Sequence, residues 1–498
     1  MKYTSTRSKN DHIDAAQAII KGIAADGGLF VPDEIPQIDN AFLVELLSCS
    51  YQERASKILS LYLPDYTDAE ISHCVQAAYT NKKFDTPAIA PLTKLADGKY
   101  ILELWHGPTS AFKDMALQLL PQLMSTALQK TKQKNDVVIL VATSGDTGKA
   151  ALEGFCDVPK IKIIVFYPQH GVSHMQRRQM ITQKGNNVAV IAIEGNFDDA
   201  QTGVKNIFNN KPLNKELHDE GYELSSANSI NWGRLLPQIV YYFSAYCELV
   251  KDGSIKLAEK VNYSVPTGNF GDILAGYYAK RMGLPINKLV CASNSNNVLT
   301  DFFTTGKYDR NREFFKTISP SMDILISSNL ERLLYHITGD AAKIKTWMDE
   351  LNEKGSYTAD KQCIAQLQEI FAAGWVDEKQ TLTAIKDVYD AYDGYTIDPH
   401  TAVAWQAAQN YQQRTGDMTP MVVLSTASPY KFNDSVLTAL HADTGNADDF
   451  ALLDMLQTYN KSSVPAGLAS LKTAAILHKK TCTKENMAAE IKDYLKHC

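Results

Sequence analysis

The chain has 498 residues, with 50 basic against 56 acidic side chains (net charge -6), 45% apolar residues and 21% charged ones. Those proportions exclude disordered, collagen-like and coiled-coil classes and leave roughly two to four globular domains. The mild negative charge speaks against a nucleic-acid partner, the opening MKYTSTRSKND has no apolar leader, and no run reaches the roughly 18 apolar residues of a membrane span.

The eight cysteines (Cys49, Cys74, Cys156, Cys247, Cys291, Cys363, Cys482 and Cys498) are scattered, without a C-x-x-C pair. That is the usage of a reducing compartment, so a soluble cytoplasmic protein is expected, with no nucleic acid and no membrane as partner. Residues 1–95 are predicted to be mainly helical, broken by the turn-rich stretch Asp26–Pro32. The texture then changes. β-Branched runs at Tyr100–Leu104, Val137–Ala142, Ile161–Phe166, Val188–Ile193, Asn262–Val265, Leu289–Ala292 and Met421–Leu424 are each followed by a helix-length segment. Such alternation predicts an α/β fold with parallel-rich open sheets buried on both faces. Ala116, Leu119, Leu120, Leu123 and Ala127 repeat at helical spacing, as do Trp232, Leu235, Leu236, Ile239, Val240 and Phe243. Pro121 and Pro237 interrupt these patterns and predict a kink or a late start. Residues 308–395 read as a polar, helical insertion without a central strand, and a cover over the cleft is one role open to it. The expected division is therefore 1–95, a two-lobed α/β region 96–446, and a helical tail 447–498.

Ligands of open α/β sheets bind at the carboxyl ends of strands, where helix N-termini present free N–H groups. Four turns of that kind stand out. Gly268, Asn269, Phe270, Gly271 and Asp272 follow a strand and open a helix, as a phosphate cradle would, or as an ordinary turn capped by Asp272 would. The run Thr143–Lys149 resembles a P-loop but fails its spacing, since two residues separate Gly145 from Gly148 and Ala150 stands where a Mg²⁺-binding hydroxyl is needed. It remains a candidate carboxylate or phosphate cradle. Ser225–Arg234 supplies small polar side chains and a guanidinium at a helix start, suited to a phosphate dianion or simply to capping. Lys113 opens a helix, where its charge opposes the macrodipole; a partly dry lysine there forms a Schiff base readily, whereas a solvated one does not. His170 and His174 are spaced i, i+4 but have no third ligand, so no metal is expected. No G-x-S-x-G elbow supports a hydrolase triad.

Taken together, DGGLFVP at 26–32, HGPTSAFKD at 106–114, ATSGDTG at 142–148, SSANSINWGR at 225–234, PTGNFGD at 266–272, DPHTAVA at 398–404 and STASPYKF at 425–432 resemble the threonine synthase family, in its longer enteric-bacterial and fungal form. The resemblance implies a fold-type II enzyme dependent on pyridoxal 5′-phosphate. It implies conversion of O-phospho-L-homoserine and water to L-threonine and phosphate. Lys113 would then carry the cofactor and shuttle protons. Gly268, Asn269, Phe270, Gly271 and Asp272 would hold its phosphate, and Thr426 or its neighbour Ser425 would face the pyridine nitrogen. Ser144, Gly145, Asp146 and Thr147 would hold the substrate carboxylate, and Asn228, Ser229 and Arg234 the substrate phosphate, with closure over the ligand. Asp146 departs from the asparagine of many fold-type II enzymes; a carboxylate at the ring oxygen repels it unless one of the two is protonated or the loop shifts. Two other readings stay open: a phospholyase on the same scaffold giving 2-oxobutyrate, and a non-catalytic protein that binds the cofactor or a phosphate ligand. The sequence carries no signal of oligomeric state.

Overall fold

A run such as Val137–Ala142, apolar at every position, is satisfied only by burial on both faces of a sheet. That is where it lies in the computed structural model, which describes residues 1–9, 12–143, 145–169 and 172–497, without the side chains of Phe197 and Asp198. In chain order the strands are β1 (Tyr3–Ser5), β2 (Phe30–Pro32), β3 (Leu92–Ala96), β4 (Lys99–Glu103), β5 (Asp136–Ala142), β6 (Ile161–Pro168), β7 (Val188–Ile193), β8 (Tyr222–Ser225), β9 (Val261–Pro266), β10 (Ile286–Ser293), β11 (Lys307–Asp309), β12 (Ser356–Thr358), β13 (Phe371–Trp375), β14 (Met421–Ser425) and β15 (Lys480–Cys482). One sheet is parallel throughout, in the order β15-β7-β6-β5-β8. The other runs β13-β10-β9-β14-β4-β3 and is parallel except for the β3–β4 hairpin. The expected α/β architecture with two parallel-rich sheets is present, and each apolar run read as a strand is one.

The differences lie at sheet edges, where burial is partial and the pattern weak. β3, absent from the apolar runs, is a half-exposed strand that turns into β4 through Asp97-Gly98, with Gly98 at φ +73°. Within 308–395, β13 adds to the edge of the second sheet in register with β10; its sequence FAAGW lacks the β-branched signature. In the tail, β15 pairs with β7, Lys480 opposite Ile191 and Cys482 opposite Ile193. Three residues are too few to show a period.

The prolines behave differently from each other. Pro121 sits in the first turn of the helix Leu120–Lys130, after the separate short helix Lys113–Leu117, so the late start is real. Pro237 instead lies inside the continuous helix Trp232–Lys251. The N-terminal helices Tyr51–Tyr62 and Asp68–Ala78 begin at reciprocal caps, Ser50 with Glu53 and Thr67 with Glu70, which satisfy otherwise orphaned N–H groups. The first of them ends at Tyr62 against Trp232, fully buried, whose ring centroid lies 5.4 Å from Tyr3, 5.6 Å from Tyr62 and 5.3 Å from Tyr278. The same region is clamped from the other side: Arg7 makes a two-pronged ion pair with buried Glu331, 2.8 Å on each arm. Arg332 is fully buried and donates to the carbonyls of Phe30, Ser229 and Ile230 at 2.9, 3.3 and 2.5 Å.

Trp232→Ala removes the ring that joins the N-terminal helices to the helix behind the cleft. A cost of about 3–5 kcal/mol is expected, read as a lower urea midpoint; a midpoint at the parent value would mean that the two regions are stable independently of this contact.

Candidate active site

Both sheets end on the same space. A cavity of about 1210 Å³ is lined by Lys113, Asp146, Thr147, Asn228, Ser229, Arg234 and Asn269, together with residues of the segment 320–330. Residues from four separate turns singled out in the sequence thus converge. Ser144 lies outside the described residues, as does His170; His174 is paired with Asp449 at 2.6 Å.

Lys113 is placed by backbone. Ala111 bridges Ala427, the Phe112 amide donates to the Thr426 carbonyl at 2.8 Å, and the Ser428 amide donates to the Ser110 carbonyl at 3.1 Å. The turn is tight enough to hold Ser110 at φ +58°. Lys113 therefore starts its helix buried, its Nζ 3.6 Å from Asp146 Oδ2 and 4.9 Å from the centroid of the Phe112 ring. Burial lowers its pKa to about 8, helped by the nearby charges of Arg234 and Lys431 and opposed by Asp146. At that pKa roughly a tenth of the amine is unprotonated at pH 7 and about half near pH 8, far more than for an ordinary lysine, and that fraction can act as nucleophile or proton shuttle.

Asp146 opens the helix Asp146–Phe155 behind Gly145, whose φ of +138° is a left-handed geometry that favours glycine. Its carboxylate is shared. Lys431 Nζ reaches Oδ1 at 2.6 Å and Gln176 Nε2 reaches the same oxygen at 3.0 Å, while Ser321 Oγ donates to Oδ2 at 3.2 Å. Burial by itself would raise this carboxyl; Lys431, Lys113 and Gln176 outweigh it and hold the group well below the usual carboxylate range. Asp146 is thus an anion already matched by a buried cation.

The turn after β9 has the features of an anion cradle. The carbonyls of Gly268 and Asn269 are tied back by Ser327 Oγ (2.7 Å) and by the amide and side chain of Asn329 (3.1 and 3.0 Å). Among the described residues no acceptor meets the amides of Gly268, Asn269, Phe270 and Gly271. A Cβ on Gly268 would stand 2.7 Å from the Ser321 carbonyl oxygen. Phe270 adopts φ +64° and its ring is buried, 6.0 Å from Phe303 and 5.8 Å from Phe371, so it anchors the turn and offers only backbone to the cavity. The Asp272 carboxyl is engaged by two tyrosines. Its Oδ1 accepts from Tyr241 (2.6 Å) and Tyr242 (3.0 Å), and burial raises its pKa to about 7.

Opposite, Arg234 is buried, donating to the Ala227 carbonyl at 2.9 Å and approaching Thr147 Oγ1 at 3.4 Å. Asn228 carries a buried side-chain oxygen without a partner. Arg332 fixes the backbone of Ser229 and Ile230 from behind. Of the two hydroxyls at the end of β14, Ser425 is engaged by Trp105 and Thr401, each at 3.1 Å. Thr426 Oγ1 has no partner among the described residues.

Comparison with known proteins fits this arrangement. Family profiles match along the chain: threonine synthase N terminus over residues 2–79, pyridoxal-phosphate dependent enzyme over 84–427, and threonine synthase C-terminal over 401–485. The threonine synthase of Saccharomyces cerevisiae is 39% identical over 88% of this chain and 89% of its own length. The chain belongs to the threonine synthase family. Human threonine synthase-like 1 is 42% identical over 89% of this chain, which spans 60% of that longer protein. Two solved threonine synthases superpose with a TM-score of 0.87 each: the pyridoxal-phosphate-bound enzyme of Brucella melitensis, 37% identical over 100% of this chain and 99% of its own, and the yeast enzyme, 35% identical over the same shares.

Sequence reasoning missed part of this cluster. Lys431 lies inside the STASPYKF motif, yet nothing in its spacing shows that it turns back onto Asp146. Gln176 sits in a polar helix without a pattern. Ser321 lies in the 308–395 region, whose residues 320–330 line the cavity and whose Ser321 amide donates to His400 Nε2 at 3.1 Å. That region therefore lines the cavity as well as supplying β13. His400 is held in turn by Asp398, 2.6 Å from Nδ1, within the DPHTAVA motif.

Since only the unprotonated amine reacts, labelling of Lys113 by an amine-directed reagent should rise with pH through a midpoint near 8, about two units below an ordinary lysine. Peptide mass spectrometry reads this directly, and a midpoint in the ordinary range would mean that the amine is solvated.

Proposed function

We propose that the protein is a threonine synthase that converts O-phospho-L-homoserine and water to L-threonine and phosphate with pyridoxal 5′-phosphate. The observation that carries this reading is the pairing of a buried amine, Lys113, with a buried guanidinium, Arg234, across one cavity. One is suited to an aldehyde, the other to a phosphate dianion.

The residues fit the cofactor. The open amides of Gly268, Asn269, Phe270 and Gly271, at the N-terminus of the helix Gly271–Met282, would hold its phosphate, with Asp272 contributing backbone from the first turn. Thr426 would place its hydroxyl against the ring nitrogen. A hydroxyl there, unlike a carboxylate, favours the unprotonated nitrogen. Bound pyridoxal phosphate supplies an electron sink for charge developing on the substrate carbons.

The rest of the chemistry belongs to the chain. Gly145, Asp146 and Thr147 would offer helix N-terminal amides to the substrate carboxylate, with Ser144 in the same turn. Asn228, Ser229 and Arg234 would hold the substrate phosphate and keep it in place after it leaves. Lys113 would move protons at the α and β carbons of the bound substrate, and the γ carbon that the phosphate leaves must also gain one. The segment 320–330, against Asp146 and the cradle, limits water to the molecule that adds at the β carbon. The three-part division 1–95, 96–446 and 447–498 and a cytoplasmic location belong to the same proposal; among the described residues no helix is long and apolar enough to cross a membrane.

Incubation with O-phospho-L-homoserine should yield threonine in step with phosphate. Oxobutyrate in its place would assign a phospholyase, and no product at all a binding protein. Lys113→Ala should abolish turnover and the visible absorbance of lysine-bound cofactor; retained turnover would remove Lys113 from its role. Arg234→Ala should lower kcat/KM by at least about a hundredfold, the loss of a charged hydrogen bond to a dianion in a dry site, while leaving cofactor absorbance in place.

A further inference from the structure

The motif STASPYKF brings a second lysine into the site that the reading above does not use. Lys431 is as buried as any residue of the site, its side chain showing no exposure, and Nζ sits between the Thr109 carbonyl (3.0 Å) and Asp146 Oδ1 (2.6 Å). Lys113 meets the other oxygen of the same carboxylate at 3.6 Å. The two lysines therefore compete for one anion, and the distances say which holds it.

We propose that Lys431 is a positioning residue for Lys113: by occupying Oδ1 of Asp146 it matches the carboxylate's charge, so that Asp146 orients the Lys113 amine through Oδ2 without holding a proton on it. The inference rests on the reading that Lys113 carries the cofactor, and it assigns to this chain a buried counter-ion whose task is to keep its neighbour an amine.

The physical argument is a comparison of two charge states. With Lys431 present, the Lys431–Asp146 pair is neutral as a unit and a proton on Lys113 gains little from it. Without Lys431, a buried carboxylate faces a single lysine, and the stable state is the Lys113 ammonium paired with Asp146, because an uncompensated buried charge is costly. The other charged or titratable groups around the pair come from every packed element. Asp114 shares the helix of Lys113 and is held by the amide and hydroxyl of Thr109, each at 2.8 Å. Arg234 faces Lys113 from the helix Trp232–Lys251 and Asp272 from the helix Gly271–Met282, and His400 reaches Asp146 only through Ser321. Glu153 acts on the outer side of Asp114. None of these makes a closer contact with Asp146 than Lys431 does.

The test uses the full chain, stripped of cofactor, and follows the rate of uptake of added pyridoxal phosphate as the visible band of the lysine-bound form, across neutral and alkaline pH. Lys431→Met should move the pH midpoint of that rate up by about one to three units and cut the rate at neutral pH by about tenfold or more. Lys431→Arg, which keeps the charge, should stay near the parent, and Asp146→Asn should move the midpoint down. The double variant should lie between the two single ones, as coupled neighbours do. A Lys431→Met midpoint at the parent value in protein with unchanged near-ultraviolet circular dichroism overturns the proposal. Should that variant fail to fold, an Asp146→Asn midpoint at or above the parent overturns it equally. Parent protein that takes up no cofactor on Lys113 would instead overturn the reading on which the proposal rests.

Discussion

A carboxylate as deeply buried as Asp146 has to be paired, and the groups that pair it come from four distant parts of the chain. Lys113 arrives on the helix after β4, Gln176 on the helix after β6, Ser321 on the segment crossing the cleft, and Lys431 on the turn after β14. Removing one partner from such a group typically costs more than the pair contributes, because a charge is left without compensation. The convergence of the two sheets on one cavity is thus enforced by electrostatics as well as by packing. Each sheet brings its strand ends to the cleft, and the shared anion fixes how the ends face one another.

The N-terminal region takes part in the site, since Arg7, Gly27, Leu29 and Phe30 line the same cavity. Arg332 spends its donors on the carbonyls of Phe30, Ser229 and Ile230 and on the side-chain oxygen of Asn329, and Asn329 itself holds the Asn269 carbonyl. One guanidinium therefore links β2, the turn proposed to bind substrate phosphate and the turn proposed to bind cofactor phosphate. The Arg7–Glu331 pair, one residue away, secures the same helix to the N-terminal segment. The DGGLFVP stretch, read in the sequence as a break between helices and as one of the family motifs, ends in the strand that makes this connection.

Much of the interior was legible because it is simple. β5, β6, β7, β10 and β14 each carry an apolar run of four residues or more, and a run buried on both faces announces itself without context. The turns that follow them were legible as helix starts rich in glycine and small polar residues. What the sequence could not display is where side chains go after a turn. Phe270 and Asp272 lie in the cradle motif, yet one points into an aromatic cluster and the other toward two tyrosine hydroxyls. Ser425 and Thr426 are equivalent on paper; strand alternation puts the first against Trp105 and leaves the second open. The pairing of Lys431 with Asp146 spans most of the chain and has no local signature. The edge strands β3, β13 and β15 were missed because their partners, not their own residues, make them strands.

The pairing of β15 with β7 has a consequence for how the chain is made. The sequence of β7, VAVIAI, is apolar throughout, and its outer edge is closed only by Lys480–Cys482. On a ribosome, at about 5–20 residues per second, that edge waits on the order of tens of seconds for the segment that covers it. A long apolar edge left open invites pairing with other chains. The nascent protein therefore passes through an interval in which its first sheet is built but unsealed, and the closing segment near its carboxyl end acts as a late stopper on a surface prone to association.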